Sequence, residues 1–320
     1  MNAAVVHAFD APPRYTSFAE PIAGEGELLV DVIAAGFHPI VKALASGSHY
    51  GSTGALPFIP GVDGVGRRQD GTWIYFGISR SPFGTFSERV LAARQMCIPL
   101  PEGLDAVTIA GIANPAMSSW VALTRRAKLA AGEKVLILGA TGIAGQLAIQ
   151  IAKHLGARRI VAAGRNQDAL EAAKDLGADS TISLNQEHSS LVSRIRREWA
   201  EARVDVVLDY LWGHPAEAVL EAMLQKGLKH AAARVRFVQV GESAGNTISL
   251  AAATLRSSGL ELFGSGFGSA SIDAIFQALA EFFRTATKLS LKINIKPVPL
   301  RDVERLWNSP EPGVRLVFLP

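Results

Sequence analysis

The apolar positions of this chain follow two different rhythms. Between Lys134 and Arg165 the sequence reads KVLILGATGIAGQLAIQIAKHLGARRIVAAGR, in which a solid apolar run over 135–138 gives way to glycines and then to Ile143, Leu147, Ile151 and Leu155 at every fourth position. A solid run suits a strand buried on both faces, and the four-residue recurrence lays one apolar stripe along a helix, with Gln146, Gln150, Lys153 and His154 largely off it. Gly156 stops that helix and the run over 160–163 predicts the next strand, so the segment reads as a βαβ unit. The same alternation continues with strands over 204–208 and 235–240, a helix over 216–224 between them, and a strand near 260–264. That pattern predicts a doubly wound parallel sheet.

The first hundred or so residues lack this rhythm. Short β-type runs over 3–7, 28–34, 73–76 and 86–90 are separated by glycine and proline turns, which predicts a β-rich domain. After the alternating region come a helix over 271–284, a strand over 291–298, a short helix near 301–307 and a last apolar strand over 315–319. The expected class is α/β: a Rossmann-type doubly wound parallel sheet plus a β-rich domain, divided as 1–112, 113–258 and 259–320.

Composition narrows the class without changing this picture. A chain of 320 residues with 48% hydrophobic and 19% charged residues is an ordinary globular protein long enough for two domains. The net charge of +3 is small, and the clusters Arg125, Arg126, Lys128 and Arg194, Arg196, Arg197 read as solvated helix faces in place of a nucleic-acid surface. The single cysteine, Cys97, leaves no intrachain disulfide, and cytoplasmic residence is expected. Asp10, Pro12 and Pro13 interrupt the N-terminal segment where a signal peptide would need an apolar core. The charge-free stretch over 106–124 contains Asn114, Pro115 and two serines, and is expected to be a domain junction, with no membrane span.

The chemistry begins in the glycine turn. From Ala140 to Gly145 the pattern is A-x-G-x-x-G, placed between a strand and a helix as a dinucleotide site requires. Gly142 would let the backbone approach a pyrophosphate seated on the free N–H groups of the helix start, and Gly145 would let the helix pack closely, so Thr141, Gly142, Ile143 and Ala144 are expected to line the phosphates. After the second strand an NAD site usually carries Asp or Glu for the ribose 2′-OH, whereas this chain has Gly164, Arg165 and Asn166. With no carboxylate to repel a 2′-phosphate and a planar guanidinium to receive it, NADP(H) is the expected cofactor.

The stretches AAVVHAFDAPPRY near the start, AAGFHP over 34–39, PGVDGVG over 60–66 and GTFSERV over 84–90, combined with this domain order, resemble the medium-chain dehydrogenase/reductase superfamily in its quinone oxidoreductase-like branch. The resemblance covers essentially the whole chain. It implies a GroES-like catalytic domain completed by the C-terminal segment, with the cofactor held in the cleft against the Rossmann domain. It also implies further cofactor contacts at Gly241, at Gly264, Ser265 and Gly266 near the nicotinamide, and at Arg315 on the phosphates. Leu184 stands where the branch has a tyrosine near the adenosine phosphate.

The zinc-dependent members of that superfamily carry ligands that align here with His38, Val62 and about Asn114. Valine cannot bind a metal and asparagine is a poor zinc ligand, so no metal is expected. Without a Lewis acid the natural hydride acceptor is a conjugated one, a quinone or an α,β-unsaturated carbonyl, whose π-system spreads the negative charge. His38 and Tyr50 are the candidate donors to the developing oxyanion, His38 replacing the branch's usual Asn; Asp63 is expected to brace its turn. The branch also contains non-catalytic NADPH-binding proteins of the crystallin and RNA-binding kind, which the glycine turn fits equally well, and a simple alcohol dehydrogenase is a weaker alternative. A homodimer paired through the apolar segment over 255–267 is expected by analogy.

Overall fold

Solid apolar runs become strands and four-residue stripes become helices, in an order that the turn residues set. The computed structural model describes residues 1–49, 51–52, 54–77, 79–224, 233–309 and 313–320. In its first part the strands are β1 (Asn2–Val5), β2 (Arg14–Ser17), β3 (Glu27–Gly36), β4 (Asp63–Arg68), β5 (Trp73–Gly77), β6 (Arg89–Ala93) and β7 (Cys97–Pro99), with helices α1 (Pro39–Ala45) and α2 (Ala106–Val121). The alternating part holds β8 (Lys134–Leu138), α3 (Ile143–His154), β9 (Arg159–Gly164), α4 (Gln167–Leu176), β10 (Ser180–Ser183), α5 (His188–Ala202), β11 (Val206–Asp209), α6 (Gly213–Ala222) and β12 (Arg234–Gln239). Then follow α7 (Ala252–Ser257), β13 (Gly259–Gly264), α8 (Ile272–Ala286), β14 (Asn294–Pro299), α9 (Val303–Leu306) and β15 (Val314–Leu319).

The chain divides into two units, one of residues Met1–Asn114 with Leu279–Pro320, the other of Pro115–Ala278. The first is built on a seven-stranded sheet in the order β14-β15-β3-β4-β5-β7, with β6 paired to β3, beside a two-stranded β1-β2 ribbon. Strands far apart in sequence must meet to close it, since β15 runs antiparallel to β3 with Val317 opposite Gly36 and Phe318 opposite Ala35. Aromatic rings seal that junction: Phe37 lies 4.8 Å from Trp307 and Phe86 lies 5.0 Å from Phe318, centroid to centroid. Buried aromatic pairs of this kind carry much of the apolar area of a core and add a directional edge-to-face attraction.

The second unit is a parallel sheet in the order β10-β9-β8-β11-β12-β13, flanked by helices. Its interior residues are the solid runs, among them Val135 through Leu138 and Val206 through Leu208, all at 1% exposure or less. A charged pair is also built into it. Arg236, in the middle of β12, donates from Nη1 to the Ala127 carbonyl at 2.6 Å and from Nη2 to Glu133, which in turn accepts the Ala130 N–H at 2.8 Å.

Several sequence expectations shift. The boundary expected between 258 and 259 moves to 278 and 279, because β13 pairs in parallel register with β12 along its whole length and so belongs to the nucleotide-type sheet. The first boundary falls at 114 and 115 in place of 112 and 113, inside α2 at Pro115. The expected junction over 106–124 is therefore a helix, continued by a π-helical turn over Ala122–Arg126, and Pro115 is tolerated in it while its carbonyl accepts from the Ser118 and Ser119 hydroxyls. The segment Ala106–Arg126 is long and apolar enough to cross a membrane by length and composition, but most of its apolar stretch is buried inside the protein, as a core helix would be. The strand read over 86–90 is β6, three residues later. Phe86 itself lies before the strand and accepts the Ala4 N–H through its carbonyl.

Removing one member of a buried ion pair leaves the other uncompensated, which typically costs about 3–5 kcal/mol. Glu133→Ala should therefore destabilise the chain by about 3 kcal/mol, read as a lower midpoint in urea unfolding at unchanged slope. A midpoint unaltered by the substitution would show that solvent replaces the carboxylate without cost.

Candidate functional site

In the parallel sheet, register decides which residues share an edge. Leu138 stands opposite Asp209 and Ala163, and Asp209 opposite Gln239, which faces Gly264. The carboxyl ends of β8, β9, β11, β12 and β13 therefore align, and the strand order reverses direction between β8 and β11, where folds of this class leave a crevice for ligand.

The glycine turn fills that position. Gly139 takes φ +85°, and the Gly139 and Ala140 N–H groups both bond the Ala163 carbonyl at 2.9 Å, tying the turn to β9. A Cβ on Gly145 would stand 2.3 Å from the Gly139 oxygen and 2.5 Å from the Ala140 Cα, so only glycine lets α3 begin this close to the turn. The glycine thus packs the helix on the turn itself more than on the strand. A Cβ on Gly164 would meet Thr141 Cγ2 at 2.4 Å, which places the end of β9 directly against the turn. At Gly142, the exposed cap of α3, a Cβ would touch only the Gly139 oxygen at 3.6 Å, so the space before the helix is open to a ligand. The N–H groups of the first turn, Ile143 and Ala144 among them, are aimed by the helix at that space, and the helix dipole favours an anion there. The cradle fits a pyrophosphate.

Beyond β9, Arg165 is exposed and makes no side-chain hydrogen bond or ion pair with another described residue. Asn166 is partly committed, because its side-chain oxygen caps α4 by accepting the Ala169 N–H at 2.9 Å. At the other end of the row the Gly241 N–H bonds the Asp209 carbonyl, and a Cβ on Gly241 would fall 2.7 Å from the Tyr210 oxygen. Gly264 and Gly266 are exposed, and a Cβ on either would meet nothing within 4 Å; Ser265 is anchored between them by its N–H on the Gln239 carbonyl at 2.8 Å.

At the centre of this edge Asp209 is buried and Tyr210 half-buried. The Asp209 carboxylate accepts the N–H groups of Leu211 at 2.8 Å and Trp212 at 3.1 Å, which holds Trp212 at a positive φ of 56°. Burial pushes the Asp209 carboxyl up to about 6, against those two N–H donors, which pull it down. The Tyr210 hydroxyl is 2.7 Å from the Ser119 hydroxyl, and burial raises its phenol to about 12.

The antiparallel unit gathers a different set. His38 occupies the N-cap position of α1 without a side-chain capping bond, and its ring is buried, with Nε2 3.2 Å from Asp63 Oδ1 but not aligned as a hydrogen bond. The ring can fold back against β3 because Gly36 has no Cβ; one there would lie 2.4 Å from His38 Nε2 and 2.2 Å from the Ala110 oxygen. Asp63 opens β4 and accepts a 2.9 Å hydrogen bond from the Tyr75 hydroxyl on β5. Burial lowers the His38 imidazole below its ordinary value and Asp63 opposes that; burial also lifts the Tyr75 phenol well above its ordinary value, with Asp63 adding to the rise. Thr85 Oγ1, Arg315 Nε and both His38 ring nitrogens are buried without a hydrogen-bond partner.

Two of the expected site residues are buried. His38, expected as a donor open to substrate, is 2% exposed, because the chain turns into α1 immediately after β3 and folds the ring inward. Arg315, expected on the phosphates, is 7% exposed, and its Nη1 donates to the Phe37 carbonyl at 2.6 Å because β15 pairs beside the end of β3. Burial lowers the Arg315 guanidinium to about 10, with Asp63 countering. Tyr50 lies outside the described residues. Asp63 does more than brace its turn, and Tyr75 was not singled out from the sequence; the only signal for it is a phenol in a strand that is otherwise apolar.

Comparisons with known proteins accord with this arrangement. Residues 144–284 match the family described as zinc-binding dehydrogenase. The chain is 27% identical, over the full length of both, to a probable NADPH-dependent quinone reductase from Emericella nidulans. It is 29% identical, over 66% of each chain, to the quinone oxidoreductase of Pongo abelii. Among solved structures it superposes on the quinone oxidoreductase of Thermus thermophilus, which was also determined in complex with NADPH, with a TM-score of 0.79, 25% identity and full coverage of both chains.

The raised carboxyl at Asp209 has a measurable sign. Its folded value of about 6 exceeds the ordinary value of 3.8, so the stability that its protonation contributes is complete below about pH 4 and lost as the pH rises through about 6. Urea unfolding from about pH 4 to about pH 7 should show the native chain losing about 3 kcal/mol relative to Asp209→Asn, whose amide still accepts from the turn. Parallel profiles for the two proteins would mean that Asp209 stays ionised throughout.

Proposed function

We propose that this chain belongs to the medium-chain dehydrogenase/reductase superfamily, in its quinone oxidoreductase-like branch, and that it is an NADPH-dependent oxidoreductase whose hydride acceptor is a quinone or an α,β-unsaturated carbonyl compound, reduced without a catalytic zinc. The observation that carries the reading is the open glycine cradle at the switch point of the sheet, followed at the end of β9 by an unengaged guanidinium and no carboxylate. Those are the requirements of a pyrophosphate and of a 2′-phosphate respectively.

Each residue then has a role of its own. Thr141, Gly142, Ile143 and Ala144 hold the pyrophosphate through backbone N–H groups, Arg165 forms charge-assisted hydrogen bonds to the 2′-phosphate, and Gly164 keeps the approach to the turn clear. Gly241, Gly264, Ser265 and Gly266 offer backbone without bulk at the ends of β12 and β13. NADPH, when bound, supplies the hydride. On the acceptor side Tyr50 is assigned as the donor to the developing oxyanion, and the buried His38, backed by Asp63 and Tyr75, as the polar group that fixes the local field. The residues present support zinc independence, since Val62 stands where a ligand is needed and valine cannot bind a metal. A conjugated acceptor is the substrate such a site suits, because its own π-system carries the charge.

We place the enzyme in the cytoplasm as a homodimer. β13 is an edge strand, and Leu255, Leu262, Phe267 and Ile272 beside it are large exposed apolar residues, a combination that a second copy would cover.

The test follows NADPH consumption by absorbance with a quinone and an enone offered in parallel and NADH as control. Turnover of either acceptor with NADH poor is the expected result and chooses the substrate class; NADPH binding without turnover would replace the enzyme reading by a non-catalytic NADPH-binding one. Arg165→Asp should raise KM for NADPH by roughly 10–100-fold while improving NADH relative to it, as loss of a charge-assisted phosphate contact requires. Tyr50→Phe should lower kcat on the order of 100-fold with KM little changed, and an unaltered kcat would remove the tyrosine from the reaction.

A further inference from the structure

Two histidines on neighbouring helices of the parallel-sheet unit face each other. His188 is the first residue of α5 and His214 the second of α6, and their rings approach until His188 Nδ1 is 2.9 Å from His214 Nε2, with centroids 4.7 Å apart and planes at 62°. The other nitrogen of His188, Nε2, lies 2.8 Å from Glu221 Oε2 further along α6. Glu221 is itself held from α5, since Arg196 donates to its backbone carbonyl at 3.3 Å and its guanidinium lies 3.9 Å from Oε1. The side chains of His188 and Glu221 are 38% and 50% exposed, and His214 is exposed. The proposed reaction uses none of these groups.

The protons in this chain of contacts are constrained. In the tautomer whose Nε2–H donates to the Glu221 carboxylate, a neutral His188 ring presents its Nδ1 lone pair to His214. His214 must then donate from Nε2 and keep its lone pair on Nδ1. A carboxylate behind one imidazole, with the opposite nitrogen left basic, is the arrangement that orients and strengthens histidine as a metal ligand.

We propose that His188 Nδ1 and His214 Nε2 form a surface site for a divalent copper- or nickel-class ion, oriented by Glu221. Ligand chemistry favours that class. The 2.9 Å contact is a hydrogen-bond distance and shows that the two nitrogens lie close enough to share one ion. Imidazole suits copper, nickel and zinc, and affinity for a given nitrogen site rises from Ni²⁺ to Cu²⁺ and falls again at Zn²⁺. On binding, the His214 proton moves from Nε2 to Nδ1, both lone pairs turn to the ion, water completes the coordination, and no oxidation state changes. The half-buried His188 ring and the exposed His214 ring can make the small rotation this needs. Because two imidazoles bind and the carboxylate only orients, the site differs from a convergent three-ligand cage, of which the described residues hold none. Its effect is to tie the start of α5 to α6.

The test titrates NiCl₂ and CuCl₂ into the whole metal-free chain by calorimetry, with the Cu²⁺ form also examined by electron paramagnetic resonance. A single ion per chain and hyperfine coupling to two nitrogens are expected, with Zn²⁺ weaker than Cu²⁺. His188→Ala and His214→Ala should each abolish the site, and Glu221→Gln should weaken it about tenfold. NADPH turnover of the three variants should stay at the native level, which separates failure here from failure of the reductase reading. Absence of binding below about 1 mM would overturn the proposal, and so would undiminished binding in a variant lacking both histidines, which would locate the ion on other side chains.

Discussion

The close approach of Gly145 to the Gly139–Ala140 turn is the constraint on which the rest of the parallel-sheet unit depends. Because a Cβ there would stand 2.3 Å from a carbonyl oxygen, any side chain would push the start of α3 away from the end of β8. The helix would then no longer present its first N–H groups over the sheet's carboxyl edge, and its dipole would point at solvent. Gly164 imposes the same closeness from the neighbouring strand, where a side chain would collide with Thr141. The two glycines make a shelf at which β8, β9 and α3 end together, and parallel register extends that shelf to Asp209, Gln239 and Gly264. The proposed phosphate cradle is thus a consequence of backbone packing and needs no charged side chain of its own.

The antiparallel unit solves a different problem. It buries His38, Asp63, Tyr75 and Arg315 together, and several of their polar atoms lack partners. Such groups cost stability wherever they are left unpaired, and burial duly moves the Arg315 guanidinium down to about 10 and the His38 imidazole below its ordinary value. An apolar core in the same place would be more stable, since the aromatic cluster of Phe37, Phe86, Trp307 and Phe318 already closes the sheet. Local inconsistencies of this kind concentrate where a protein does chemistry. The polar cluster is therefore the part of this unit that the fold itself does not require.

The sequence revealed most where one residue's neighbours are its neighbours in the chain. The βαβ segment was legible because its apolar stripe, its glycines and its helix stop all lie within about thirty positions, and α3 begins at Ile143 as the periodicity requires. The fate of Arg315 was not legible, because it depends on β15 returning to the end of β3 and on the carbonyl of Phe37 being there to accept. The inward turn of His38 depends on Gly36 in the same way. The apolar run of β13 declares a strand, but only its pairing with β12 shows which sheet it joins. Strands such as β2, β7 and β10 are three or four residues long and too short for an alternation to declare itself. The pair of His188 and His214 lies beyond any spacing rule, being brought together by two helices packed side by side.

The proposed cofactor and acceptor sites are separable in this molecule for a physical reason. Arg165 is exposed and engages no other described side chain, so exchanging it disturbs no side-chain contact among the described residues. The His38 cluster is the opposite case, because each member supports the next: Tyr75 donates to Asp63, Asp63 lies beside His38, and Arg315 anchors the backbone from which His38 departs. Substitutions at sites without shared partners add, whereas substitutions within one buried network do not. Nucleotide preference can accordingly change by single exposed substitutions on an unaltered scaffold, while a change in the polar cluster has to be compensated within the cluster.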